Sequence, residues 1–239
     1  MKLTFLGTRG EIEARTRRHR MHTSLLISNR NADVMIDCGL DWLGKLKRIN
    51  PSAIVLTHAH PDHAWGLKRG APCPVYAPRN TWQELQHYPI EDRHVIEERT
   101  PTKICGITFE AFPVEHSILS PAVGYCLSAG RARIFYAPDL IFIHERSAAL
   151  KDVQIYIGDG ATLTRSFIRR RGKALIGHAP VRTQLSWCEK EGVSRAIITH
   201  CGSEIVTGDE RKIFATLRAI GTERHVEVRI AYDRMKLTL

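Results

Sequence analysis

The chain has 239 residues, 43% of them hydrophobic, which is enough to bury a sizeable core and excludes a disordered or disulfide-built class. Lysine and arginine outnumber aspartate and glutamate by 35 to 25, a formal charge of +10 that favours anionic partners without separating polyanions from phosphorylated metabolites. No apolar run reaches the roughly 18 residues of a membrane span, and the opening MKLTFLGTRG reads as a strand and turn rather than a signal peptide. The six cysteines are scattered without a CxxC pair, so a reducing, cytoplasmic setting without membrane contact is expected.

KLTFLG reads as a first strand. TSLLISN and VMIDCG read as a hairpin closed through NRNAD, whose Asn and Asp residues favour a tight turn. Between KLTFLG and TSLLISN, EIEARTRRHRMH is basic and lacks a clean period, so a loop or short extended arm is expected. WLGKLKRI is a short helix, SAIVLT a buried strand, HAWGLKR a helix start, CPVYAP a strand and RNTWQELQHY a helix. ICGITFEAFPVEHS and AVGYCLSAGRARIFYAPD each supply a hairpin, and VQIYIGDG a strand. TRSFIRRRGKALIGHAP reads as a basic linker, VRTQLSWCEKEG as an amphipathic helix, VSRAIITHCG as a strand, DERKIFATLRAIG as a long helix and HVEVRIAYDRMKLTL as a terminal strand pair. No repeat or low-complexity linker appears, so one domain over residues 1–239 is expected.

Strand after strand ends in a residue that can hold a metal: Asp37, His58, His116, Asp139, Asp159 and His200. Strands joined partly by hairpins and partly by helices imply layered mixed sheets. In THAHPDH, His58 and His60 point the same way if extended, and a turn through Pro61 brings Asp62 and His63 round from another side. Four candidate ligands within six residues are too many for one tetrahedral ion that must also use remote histidines. They suit two adjacent ions bridged by a remote carboxylate.

THAHPDH resembles the HxHxDH signature of the metallo-β-lactamase superfamily. FLGTRG and MIDCG before it and VEHS, YAPD, GHAP and IITH after it occur in the order of that superfamily's phosphodiesterase branch, which includes the transfer-RNA 3′-processing endonuclease and the cyclic phosphodiesterase of the carbon-phosphorus lyase pathway. The close, VRIAYDRMKLTL, is also similar to the latter, with Arg234 where that family usually has glycine. The resemblance implies an α/β fold, a four-layer αββα sandwich of two mixed β-sheets. It implies two divalent transition-metal ions, zinc or manganese, with His58, His60 and His116 on one, Asp62, His63 and His200 on the other, and Asp139 between them. It implies hydrolysis of a phosphodiester by a metal-bridging hydroxide, with His178 of GHAP protonating the leaving oxygen. It also allows a homodimer.

Asp37 reads as a support that fixes a ligand imidazole or the backbone of the histidine loop, and so joins Asp62 and His178 among the catalytic candidates. Asp159, before Gly160, reads as structural, and Cys201 as packing. A small cyclic or nucleotide-like diester is the expected substrate, since no long Gly-rich or Lys-rich arm is evident. One alternative is an RNA or single-stranded DNA nuclease that grips its substrate through Arg15, Arg17, Arg18 and Arg20, with the basic stretch at Arg169 to Arg171 as a further candidate. Another is a non-catalytic nucleic-acid-binding protein on the same scaffold.

Overall fold

The computed structural model describes residues 1–117, 120–172 and 174–239. In chain order the first half gives β1 (Lys2–Gly7), β2 (Ser24–Asn29), β3 (Ala32–Ile36), α1 (Leu46–Ile49), β4 (Ala53–Val55), α2 (Pro61–Ala64), β5 (Val75–Ala77), α3 (Arg79–Glu84) and β6 (Arg93–Val95). The second half gives β7 (Thr102–Ile104), β8 (Ile107–Glu115), β9 (Ala122–Ala129), β10 (Ala132–Tyr136), β11 (Phe142–Ile143), α4 (Arg146–Ala149) and β12 (Ile155–Asp159). It continues through β13 (Arg169–Arg171), β14 (Ala174–Ile176), α5 (Val181–Lys190), β15 (Arg195–Thr199), α6 (Ser203–Thr207), α7 (Glu210–Glu223), β16 (Glu227–Ile230) and β17 (Lys236–Thr238).

One sheet runs β17-β1-β2-β3-β4-β5-β6, antiparallel through β3 and parallel beyond it. The other runs β11-β8-β9-β10-β12-β15-β16, with β7 added beside β8, and is likewise mixed. Strand alternation sorts their side chains into separate cores. Ile155 and Ile157 of β12 join Phe5, Ile27 and Tyr125 between the sheets, whereas Tyr156 joins Leu185 and Leu217 under α5 and α7. A third cluster, including Met35, Ile54, Trp42 and Trp82, lies between the first sheet and its own helices. Three apolar cores separate four layers, so the chain forms the αββα sandwich of two mixed sheets flanked by helices.

Three elements differ from the sequence reading. HVEVRIAYDRMKLTL does not pair with itself: β16 joins β15 in the second sheet, while β17 crosses to β1 in the first. The turn between them passes through Arg234 at φ +72, the left-handed region where glycine carries the least strain. The linker ahead of GHAP contains a two-stranded hairpin, β13 against β14, because residues flanking Gly172 (φ +63) pair across it. Lys173, within the basic FIRRRGK stretch, lies outside the described residues. The exposed strand β6 carries no alternating apolar pattern and is held by parallel pairing with β5, which sequence periodicity does not reveal. All six cysteines are free, and Cys201 packs into the second sheet's core. Among the described residues no helix is long and apolar enough to cross a membrane.

Candidate metal centre

The histidine stretch leaves the first sheet after β4 and turns at once into α2, with Pro61 at the first helical turn, where its missing N–H costs nothing. The loop after β3 clamps this turn. The Cys38 amide donates to the His63 carbonyl (2.6 Å) and the Gly66 amide to the Cys38 carbonyl (2.8 Å). A Cβ at Gly39 would lie 2.0 Å from the Asp62 carbonyl oxygen, so only glycine permits the approach. Asp37, held at φ +59, aims its carboxylate into the same turn. It accepts from the Thr57 amide (2.8 Å), the Thr57 hydroxyl and His63 Nδ1 (2.9 Å). Its hydrogen bond to the imidazole leaves His63 Nε2 directed elsewhere.

The second sheet delivers the rest. His116 follows β8, Asp139 follows β10 through Ala137 and Pro138, Asp159 ends β12, and His200 follows β15 at φ +52. The structure brings His58, His60, His116 and Asp139 into one group of ligand atoms and Asp62, His63 and His200 into another, each within 4.8 Å. Asp139 stands between them: Oδ2 is 3.8 Å from His58 Nε2, 3.9 Å from His63 Nε2 and 3.7 Å from His200 Nε2, while Oδ1 is 2.8 Å from His116 Nδ1. His200 Nε2 also sits 3.0 Å from Asp62 Oδ2.

These groups are buried, yet among the described residues His58 Nε2, His63 Nε2, His116 Nδ1, His200 Nδ1 and Asp139 Oδ1 make no hydrogen bond of good geometry, the close approaches between imidazoles and carboxylates being poorly aligned. Buried polar atoms left unsatisfied at one focus are the signature of an additional ligand. Charge points the same way. Asp37, Asp62, Asp139 and Asp159 are all buried, and carboxylates gathered in so small a volume call for positive charge beside them. The nitrogen and oxygen donor set fits such ions.

Electrostatics divide the imidazoles into two kinds. Burial and the neighbouring imidazoles His63, His116 and His60 hold His58 well below its ordinary range, and burial with His116 lowers His60 to about 4. These rings are neutral and offer lone pairs. Burial opposes charge on His63, His200 and His178 too, but adjacent carboxylates outweigh it. Asp62 and Asp37 raise His63 to about 10, Asp139, Asp159 and Asp62 raise His200 to about 10, and Asp159 and Asp139 raise His178 to about 11. Asp62 and Asp139 are driven well below the carboxylate range, where their histidine neighbours overcome the burial penalty.

Asp159 is the residue that sequence reasoning undervalued. Its Oδ2 lies 2.8 Å from His178 Nδ1 and accepts from the Leu140 amide (3.3 Å), and its Oδ1 accepts from the Ala161 amide (2.8 Å) and stands 3.5 Å from His200 Nδ1. It belongs with Asp139, His178 and His200 to a third group of close ligand atoms. The available signal was its place in the series of acidic and histidine residues closing consecutive strands. His178 Nδ1 is also 3.0 Å from Asp139 Oδ1, and its ring is 26% exposed to a cavity of about 530 Å³. That cavity is floored by His60, Asp62, His116, Asp139 and His200. A Cβ at Gly10 would meet the His200 ring at 3.1 Å, so the start of the basic arm packs directly on the centre.

A family model described as the beta-lactamase superfamily domain matches residues 32–201. A ribonuclease Z of Methanococcus maripaludis is 30% identical over 153 residues, covering 52% of this chain and 48% of that protein. The chain thus spans about half the length of the curated relatives it matches. Among solved structures it resembles the metallo-beta-lactamase fold protein YhfI from Bacillus subtilis, at TM-score 0.76 and 15% identity over 99% of this chain and 98% of that one. It also resembles a diphosphatase from the PhnP family, at TM-score 0.70 and 19% identity over 100% and 97% of the two chains. At such identities the structural likeness speaks for the fold.

Proposed function

The chain belongs to the beta-lactamase superfamily, and from that membership we propose that it is a binuclear metal-dependent phosphodiesterase acting on a small cyclic or nucleotide-like diester. One observation carries the reading: buried imidazoles and carboxylates converge at one place, and His60, Asp62, His116, Asp139, His178 and His200 among them line an open cavity. The names of a ribonuclease Z and a diphosphatase among its relatives favour a phosphorus-centred substrate over a β-lactam.

His58, His60 and His116 would hold one ion, Asp62, His63 and His200 the other, and Asp139 would face both. Zinc and manganese are the ions this donor set favours in our reading. When bound, two such ions lower the pKa of water and neutralise charge on phosphoryl oxygens. The chain's own residues do the rest. Asp37 engages Nδ1 of His63, so Nε2 is the nitrogen that faces the centre and would give up its proton to a bound cation. Asp159 anchors Nδ1 of His178 and leaves Nε2 to give a proton to the departing alkoxide. Ile176 of the β13–β14 hairpin lines the cavity beside His178.

A second reading, RNA or single-stranded DNA nuclease, is favoured by a different observation. A groove of about 1350 Å³ is lined by Arg15, Arg17, Arg18, Arg20, Arg48 and Arg234, and the segment that lines it also supplies Gly10, Glu11 and Ile12 to the catalytic cavity. Such a groove suits a phosphate backbone.

The deciding experiment is metal analysis followed by a metal-supplemented hydrolysis panel of cyclic nucleotides, ribose cyclic phosphates, linear diesters, RNA and single-stranded DNA, with a thioester as outgroup. About two ions per chain and turnover of diesters are expected. Saturation at one ion, or turnover of the thioester alone, would remove the proposal.

A further inference from the structure

The cavity of about 530 Å³ is far larger than one phosphate group needs and is of the size that holds a whole small ligand. Its lining is mixed in chemistry. The floor carries the histidines and carboxylates described above. Beyond the floor the lining includes the polar Glu11, Ser203 and Glu204 and the apolar Ile12, Ala161, Phe167 and Ile176, the last four brought from three separate segments: the basic arm, the turn after β12, and the β13–β14 hairpin with its approach. A substrate that placed phosphate or sugar hydroxyls against these four apolar side chains would bear a cost for every hydrogen bond it failed to keep there.

Phe167 is the largest of these wall residues and is 42% exposed. The Arg165 guanidinium lies 5.6 Å from its ring, and Arg169 and Arg170 are exposed on the adjoining strand, so the aromatic sits in a field that attracts anions. Its backbone is fixed relative to the centre. Gly177 adopts φ +131, and a Cβ there would fall 1.9 Å from the Phe167 carbonyl oxygen, while the Gly177 amide donates to the His116 carbonyl (3.2 Å). One glycine therefore joins Phe167 on one side to His116 and the following His178 on the other.

We propose that Phe167, with Ile12 and Ile176, forms a nucleobase subsite, so that the substrate is a diester bearing a base next to the scissile phosphorus rather than a base-free sugar phosphate. The inference rests on the phosphodiesterase reading for what the floor does, and deepens it by naming what the wall selects. A nucleobase is the planar, apolar-faced part of a phosphodiester that such a wall accommodates, and base–aromatic stacking tolerates any base.

Two readouts test it on the full, metal-loaded chain. By calorimetry, adenosine 5′-monophosphate should bind at least about tenfold more tightly than ribose 5-phosphate. Phe167→Ala should erase most of that difference, and Phe167→Trp should preserve it. In turnover, the ratio of kcat/KM for a cyclic nucleotide over a ribose cyclic phosphate should fall by about the same factor in Phe167→Ala, through KM. Equal affinity of the two probes for the unaltered protein, or an undiminished difference in Phe167→Ala, overturns the subsite. Because Phe167 is exposed, unchanged melting temperatures separate these outcomes from unfolding. Base-dependent binding without hydrolysis of any diester would leave the subsite standing and remove the phosphodiesterase reading. Equal hydrolysis of both diesters, unaffected by Phe167→Ala, would do the reverse.

Discussion

THAHPDH and RTRRHRMH are both short polar stretches dense in histidine or arginine, and both are packed against the core, yet they differ in how their buried atoms are satisfied. In the arm, Thr8 Oγ1 donates to Asp233 Oδ1 (2.8 Å) and lies 2.9 Å from His19 Nδ1, while Asp233 Oδ2 accepts from the Arg20 and Met21 amides. Arg9, almost fully buried, shares Asp41 with Arg15, at 2.5 and 2.9 Å. Around the histidine stretch the opposite holds: among the described residues several buried nitrogens make no well-aligned hydrogen bond. A polar cluster that closes its own hydrogen bonds is architecture, and one that leaves them open at a common point awaits something from outside.

The largest test of the open cluster is His178→Ala. With Asp159 holding Nδ1, the ring is a proton donor in our reading, so turnover of diesters with poor leaving groups should fall by about 10²–10⁴-fold. Nitrophenyl diesters, whose leaving group needs no proton, should lose much less, and metal content should stay near two. Loss of an ion would instead make His178 a ligand within the group it forms with Asp139, Asp159 and His200.

Chelation probes the same contrast through stability. Ions that bind the folded chain alone stabilise it by about 4 kcal/mol at a thousandfold excess over Kd. Melting should therefore drop on removing metal and recover on adding it, whereas charge reversal at exposed Arg17 should shift melting little in either form. A melting temperature indifferent to chelator would put the histidine stretch in the same category as the arm.

Asp159→Asn tests how far support from behind the ligands matters. The carboxylate touches His178 and approaches His200, so an amide should cost about 10–100-fold in metal affinity or activity. An effect on activity with metal affinity intact would assign Asp159 to orienting His178 alone.

How much of this was legible in the sequence follows from range. HxHxDH and the apolar strand before it are local, so both the element and its chemistry could be read directly. His116, Asp139 and His200 were recognisable because each closes a strand, and the carboxyl ends of strands converge in this fold. Asp159 has the same position but its partners, His178 and His200, lie 19 and 41 residues on, and nothing in GDG discloses them. The destination of β17 was hidden for a related reason. Its Leu237 pairs with Leu3 across the whole chain, and terminal strands adjacent in sequence look like partners unless the turn at Arg234 is known to redirect one of them. The hairpin over the cavity was obscured by its arginines, whose charge reads as linker while backbone pairing across Gly172 decides the structure.

The smallest expected effect belongs to the closed cluster, and it has a definite sign. Burial, then Arg18, lowers His19 to about 4, and burial, then Arg9, lowers His22 to about 4, against about 6.5 when unfolded. Between those values the unfolded chain binds more protons than the folded one. Their contribution is therefore complete above about pH 6.5 and is lost as pH falls towards 4. Each should cost about 1 kcal/mol on moving from pH 7.5 to 5.5. Because Thr8 Oγ1 gives its proton to Asp233, His19 must supply its own from Nδ1, a role that an amide can imitate. In denaturant unfolding with chelator present, His19→Asn should shrink the loss between the two pH values by about 1 kcal/mol. An unaltered loss would mean that His19 is protonated in the folded arm, and that the arm is less completely closed than its hydrogen bonds indicate.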